Sequence, residues 1–403
     1  MNKIAFVCPW YGDTIKGGAE AELRGLAKHM SAAGVDVEII STTVKEFTAD
    51  WSKNYYKPGV TMEDNLQVRR FKIRKRDTVD FDRVNEKLMN NRLPLSKEDE
   101  EIYFREMVNS PDMYEYIRNN KQKYSLFVFI PYMFGTTYYG IQECFEKAVL
   151  IPCLHDESYI YMNGFKEVFP KLAGMIFHAQ PECDLAKRVY DLSKVKTYVL
   201  GEGVDTGVKG DAKAFREKFN IYSPFVLYAG RKDRGKNIYT LIEYFSQFKR
   251  NAVTQDQKDM KLLLLGGGTV DIPEKYKSEI IDLGFVSKED KFNAYAAATC
   301  LCQPSEKESF SLVVMESWLC KRPVLVSGKC NVTRHFASLT NGGLYFESYY
   351  EFEGALNYLI NHKDDSDIMG ENGYNYVMNN FAWDVIVDRY YKCFQELAEQ
   401  GGM

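Results

Sequence analysis

Short apolar runs alternate along this chain with stretches whose apolar residues recur every three to four positions. No other feature narrows the fold as much. Runs apolar on both faces read as strands buried between layers, and the periodic stretches read as the covering helices, which together make an α/β protein with parallel sheets. Residues 3–8 form the first expected strand, and a glycine-bearing loop over 9–18 follows. The next helix places Leu23, Leu26, Ala27 and Met30 on one face and stops at Gly34. Residues 37–41 are the second strand, and the rhythm returns over 125–131, 148–152, 172–177 and 197–200. A second series starts near Pro224, with strands over 225–229, 261–265, 299–302 and 324–327, a helix capped by Ser287, and helices from about Tyr350 to the end.

Two series imply two Rossmann-like domains. Gly201, Gly203, Gly207 and Gly210 punctuate polar sequence between them. With 403 residues, of which 45% are hydrophobic, the chain has enough apolar mass for two cores. The net charge of -4 argues against nucleic acid as a partner, because backbone binding needs a broad positive surface. Nine dispersed cysteines, an odd number, show neither Cys-x-x-Cys nor zinc spacing, so a reducing, cytoplasmic setting is expected. No stretch approaches the length of a spanning helix, and the first apolar run is too short for a signal-peptide core.

Four motifs carry chemistry. Glu308 and Glu316 stand eight residues apart across an expected strand-loop-helix junction. The amides of Ser309, Phe310, Ser311 and Leu312 fall between them, at a helix N-terminus that suits an anion. A surface glutamate and a helix-dipole partner are the bland alternative for the two carboxylates. Arg231 and Lys236 flank a turn between a strand end and a helix, positioned for a diphosphate or simply solvated. Gly17-Gly18-Ala19-Glu20 follows the first strand, where a glycine pair permits close backbone approach or merely makes a turn. His155 follows the strand over 148–152, the edge where open α/β sheets place ligands, although a capped loop histidine has the same local sequence. His178 also follows a strand and reads as core or cleft wall.

Glu308-x7-Glu316, Gly230-Arg231 with Lys236, and Gly17-Gly18-Ala19-Glu20 resemble retaining glycosyltransferase family 4, whose members have the GT-B fold. Gly266-Gly267-Gly268, Gly284-Phe285-Val286 and Phe381-Ala382-Trp383 extend the resemblance over nearly the whole chain. It is strongest over 200–330 and loose over 45–120. It implies two Rossmann-like domains facing across a cleft. The domain over 1–203 would bind the acceptor, with a C-terminal helix over about 381–403 packing back on it, and the domain over 204–380 would bind the nucleotide-sugar. His155, Arg231, Lys236 and Glu308 would be catalytic. Gly17, Gly18, Gly267, Val286, Ser309, Phe310, Ser311, Leu312 and Glu316 would bind the donor. The family usually has glycine where this chain has Ser311, a departure that leaves the phosphate loop slightly altered rather than lost if φ there is negative.

The implied activity is transfer of a hexosyl group, with retention and without metal or cofactor, from a UDP-, GDP- or ADP-sugar to a glycan or lipid-linked glycan in surface polysaccharide synthesis. A sugar phosphorylase or synthase of the same fold, or a non-catalytic partner that binds nucleotide-sugars, is the rival. The basic run Arg69 to Arg76 reads as an exposed strand, with contact to anionic lipid at the inner membrane face as its alternative. Tyr132, Phe134, Tyr159 and Tyr161 fit an acceptor wall or a packed core.

Overall fold

The computed structural model describes residues 3–15 and 17–400. The chain divides into two compact units, one running to Gly203 and resuming at Asp384, the other spanning Val204–Trp383.

The first unit holds eight strands: β1 (Lys3–Val7), β2 (Val37–Thr42), β3 (Gly59–Glu63), β4 (Leu66–Phe71), β5 (Tyr124–Phe129), β6 (Ala148–Leu150), β7 (Gly174–Phe177) and β8 (Lys196–Val199). Their order is β3-β4-β2-β1-β5-β6-β7-β8. Only β3, at one edge, runs antiparallel to its neighbour. Ile4, Ala5, Phe6 and Val7 are wholly buried, as a strand covered on both faces requires. The helix Gly18–Ala32 covers the sheet with Leu23, Leu26, Ala27 and Met30, and all four are buried. The helix Trp383–Gln400 contributes its length from Asp384 to this unit. There the Phe394 ring packs edge-on against Phe6 at 6.3 Å, and the Tyr390 hydroxyl donates to the Gly201 carbonyl at 3.1 Å. Burial of Ile386, Phe394 and Leu397 contributes about 2 kcal/mol each. Residues 401–403 of the expected final helix lie outside the described residues.

The second unit holds β9 (Phe225–Ala229), β10 (Lys261–Leu265), β11 (Ile280–Gly284), β12 (Cys300–Gln303), β13 (Val324–Ser327) and β14 (Gly343–Phe346). The order is β11-β10-β9-β12-β13-β14, and every pairing is parallel. Strand order reverses direction between β1 and β5 in the first sheet and between β9 and β12 in the second. At such switch points the loops leaving the carboxyl ends diverge and leave a crevice.

The region over 45–120 departs from the sequence reading. It contains a β3–β4 hairpin joined by Asp64 and Asn65, both at positive φ (51° and 62°), the pattern of a type I′ turn. The basic run is not an exposed strand. β4 ends at Phe71, and Arg70 is buried with its guanidinium on Glu63 and the Tyr11 carbonyl. Arg69 pairs with Glu38 at 2.8 Å and Arg74 with Glu106 at 2.7 Å, so with Arg70 half of the six basic residues of the run are neutralised within the fold.

No helix among the described residues is long and apolar enough to cross a membrane. All nine cysteines are free thiols.

Candidate functional site

The loops leaving β9 and β12 meet at the switch point of the second sheet. After β9, Asp233 accepts the Lys236 backbone N–H at 2.9 Å, winding residues Arg234–Lys236 into one 3-10 turn. Asn237 leaves that turn in the left-handed region and fastens it to the other loop by donating to the Pro304 carbonyl at 3.1 Å. The Lys236 ammonium thereby lies 2.7 Å from a Glu308 carboxylate oxygen. Gln303, at the end of β12, donates to the same oxygen at 3.3 Å. Lys236 is about a quarter exposed and Glu308 a tenth, so the pair is open on one side. Arg231 is 66% exposed and, among the described residues, its guanidinium pairs with Asp233 alone at 3.5 Å, which leaves its face available.

Glu316 lies on the helix Leu312–Leu319, one turn in from its start. Two residues that the sequence reading missed hold it. Lys291 donates to one carboxylate oxygen at 2.5 Å and Tyr295 to the other at 2.9 Å. Both come from the helix Lys288–Ala297, capped by Ser287. Their i,i+4 spacing put them on one face, but the contact with Glu316 is tertiary and had no local signature. Burial first, then the Glu316 carboxylate, pushes the Tyr295 phenol well above its usual range, so it stays a donor. Each Glu316 oxygen keeps a second acceptor site for a ligand hydroxyl.

Between the two glutamates, Phe310 is buried and anchors the loop edge-on against Phe336 and Phe381. Ser311 does not have the negative φ under which its side chain would be tolerated without strain, standing at φ 84° and ψ 78°. A side chain in the left-handed region costs about 1–2 kcal/mol. Moreover, Ser311 gives the helix no side-chain cap, and its hydroxyl is buried without a hydrogen-bond partner. Ser309 and Leu312 are half-buried, and the first amides of the helix have no acceptor within it.

The glycine turn after β10 sits beside these loops. A Cβ on Gly266 would overlap the Gly230 carbonyl, and one on Gly267 would come within 2.7 Å of the Phe285 ring. Phe285 is 67% exposed and precedes Val286, which is half-buried. Lys232, also missed, is buried and paired with Asp282 at 2.6 Å, tying the loop after β9 to β11.

The remaining candidates belong to the first unit. Gly17 opens the helix Gly18–Ala32, and a Cβ there would overlap the Glu20 carboxylate, which accepts the Trp10 indole N–H at 2.6 Å. Gly18 faces open space. His155 follows β6, and its Nδ1 stands 3.7 Å from Glu157. His178 is core: buried, 2.6 Å from Glu22 and 3.3 Å from Glu182. Two Asp-x-Asp tripeptides occur in the chain, Asp80–Asp82 and Asp365–Asp367. Each lies within a helix, where residues two apart point to different sides.

Residues 211–376 match the family described as Glycosyl transferases group 1. No curated protein matches the chain. Among solved structures, sucrose-phosphate synthase from Thermosynechococcus elongatus is similar at 17% identity and a TM-score of 0.72, over 98% of this chain and 99% of that one. Anabaena HepE, solved in complex with UDP-glucose, is similar at 15% identity and a TM-score of 0.66, over 98% of this chain and 100% of that one. A trehalose 6-phosphate synthase from Burkholderia multivorans is similar at 11% identity and a TM-score of 0.71, over 99% of both chains.

Two parallel α/β units with these neighbours define the GT-B fold. The group 1 domain lies inside the second unit, and the chain is a glycosyltransferase.

Proposed function

We propose that the chain transfers a hexosyl group from a nucleotide-diphosphate sugar to a glycan or lipid-linked glycan acceptor, with retention of configuration and without a metal. UDP is the favoured nucleotide, since HepE is solved with it and with UDP-glucose. The first unit takes the acceptor and the second the donor.

One observation carries the reading. A cation and two carboxylates converge around a helix N-terminus at a switch point: Lys236 on Glu308, and Glu316 held by Lys291 and Tyr295. The free amides and Arg231 take the diphosphate, and Lys236 shifts from Glu308 onto the phosphate as charge develops there. Glu308 then accepts from hydroxyls of the transferred sugar, and Glu316 from those of the ribose. Gly267 and Val286 border the base.

The bond from the anomeric carbon to the diphosphate breaks, and the acceptor oxygen bonds to that carbon on the same face. A donor phosphate oxygen takes the acceptor proton, and the nucleoside diphosphate leaves. The helix N-terminus and the two cations stabilise the leaving charge. Lys236→Ala and Glu308→Ala are expected to lose at least about a hundredfold in turnover while staying folded. Near-normal rates in both, measured as release of nucleoside diphosphate, would refute the assignment.

A further inference from the structure

The carboxyl edge of the first sheet carries an arginine that the fold leaves unpaired. Arg76 follows β4 at the same edge from which Trp10 leaves β1, Phe47 and Trp51 leave β2, and Phe134 leaves β5. Its guanidinium lies 4.3 Å from the centre of the Phe81 ring and 5.0 Å from that of Trp51. Its Nε is buried without a hydrogen-bond partner. The neighbouring arginines 69, 70 and 74 each have a carboxylate. Asp82, Glu106 and Asp50 act on Arg76 through space, but it forms no ion pair with a carboxylate among the described residues. Glu106 is already held by Arg74, Arg105 and the Asp77 N–H, and Asp50 by Lys53 and the Ser52 N–H.

A half-buried guanidinium without a counter-ion is unfavourable, and such groups collect at ligand sites. Ring faces steady the cation but give its buried Nε–H no acceptor. Beside it stands an aromatic surface. Trp51 stacks on Trp10 at 6.0 Å, and Phe47, 47% exposed, packs edge-on against both. Flat apolar rings next to an unpaired fork suit a sugar that carries an oxyanion.

We infer that the acceptor is an anionic sugar, bearing a phosphate or a carboxylate, which pairs with Arg76 while its ring lies against the exposed Phe47. This rests on the reading of the first unit as acceptor-binding. The fork gives two parallel hydrogen bonds to either oxyanion, and the surrounding rings exclude the water that would weaken them.

The test is calorimetric titration of the full chain with glucose 6-phosphate, glucuronate, glucose and inorganic phosphate, with UDP titrated in parallel. At least one anionic sugar is expected to bind about tenfold more tightly than glucose and than inorganic phosphate. Arg76→Gln should abolish that advantage, Arg76→Lys should restore part of it, and UDP affinity should be the same in both variants as in the natural protein. The better of the two anionic sugars identifies the oxyanion. Equal binding of glucose and both anionic sugars, or an advantage that survives Arg76→Gln, overturns the inference. Binding of inorganic phosphate as tight as that of the sugars also overturns it. UDP binding in the same experiment tests the donor reading separately.

Discussion

Replacing Ser311 by glycine should make the unliganded protein more stable and its nucleotide complex weaker. Ser311 sits at φ 84°, where glycine carries no Cβ penalty, so the change relieves about 1–2 kcal/mol. Its buried hydroxyl has no partner, and removing such a group recovers about 1–3 kcal/mol. Against this stands about 0.5–1 kcal/mol for the extra freedom of glycine in the unfolded chain. The balance is a gain of about 1–4.5 kcal/mol, or about 2–18 °C in the melting temperature of the second unit. Ser311→Ala removes the hydroxyl but keeps the Cβ, so it should fall between glycine and serine. Calorimetric melting of the three proteins side by side resolves the order. If the hydroxyl binds the donor diphosphate, UDP affinity falls about fivefold or more in both variants, since one hydrogen bond to a charged group is lost. A Ser311→Gly protein that melts below the natural one would refute the strain argument. Unchanged UDP affinity would remove Ser311 from the donor site.

Two further outcomes follow from named contacts. Lys291→Met and Tyr295→Phe each free one oxygen of Glu316, so both should raise the KM for the nucleotide-sugar about three- to tenfold with little change in kcat, as steady-state kinetics would show. In the first unit, burial opposes the charged form of His178, but Glu22 and Glu182 outweigh it and hold the imidazolium well above the usual range. A folded-state pKa raised this way contributes stability that is complete below the unfolded value near 6.5 and is lost as pH rises through the folded value. Denaturant titrations should therefore show stability falling on the alkaline side of neutrality, and His178→Ala, which takes the cation from the buried Glu22 carboxylate, should cost about 3–5 kcal/mol.

The sheets were legible where strands are apolar on both faces. Phe225–Ala229, Lys261–Leu265 and Val324–Ser327 match the sequence reading residue for residue, as does the helix capped by Ser287. Strands with weaker burial were missed. β3 is almost wholly exposed, β11 is buried only at Ile280 and β14 only at Gly343 and Phe346, so none has the run of buried residues that marks a central strand. The Asp64-Asn65 turn lacks the glycine that usually marks a two-residue hairpin. At the candidate site, motif spacing brought out Lys236, Glu308 and Glu316, which three-dimensional contacts then place beside Lys291, Tyr295 and Gln303. The last three are invisible to local pattern because each role depends on a contact made by folding. Ser311 was noticed as a departure, but its left-handed backbone is a property of the loop between β12 and its helix, which side-chain chemistry alone does not reveal.

The central claim is that the second unit binds a nucleotide-diphosphate sugar through Glu316 and the helix it sits on. The most direct measurement is thermal shift of the full chain against UDP, GDP and ADP and their sugar conjugates, with and without EDTA, in the natural protein and in Glu316→Ala. Ligand bound at a hundred times its Kd stabilises by about 2.7 kcal/mol, well within detection. The account expects a selective shift for the uridine compounds, unchanged by EDTA and lost in Glu316→Ala. A shift that survives Glu316→Ala, or none with any nucleotide, would contradict it.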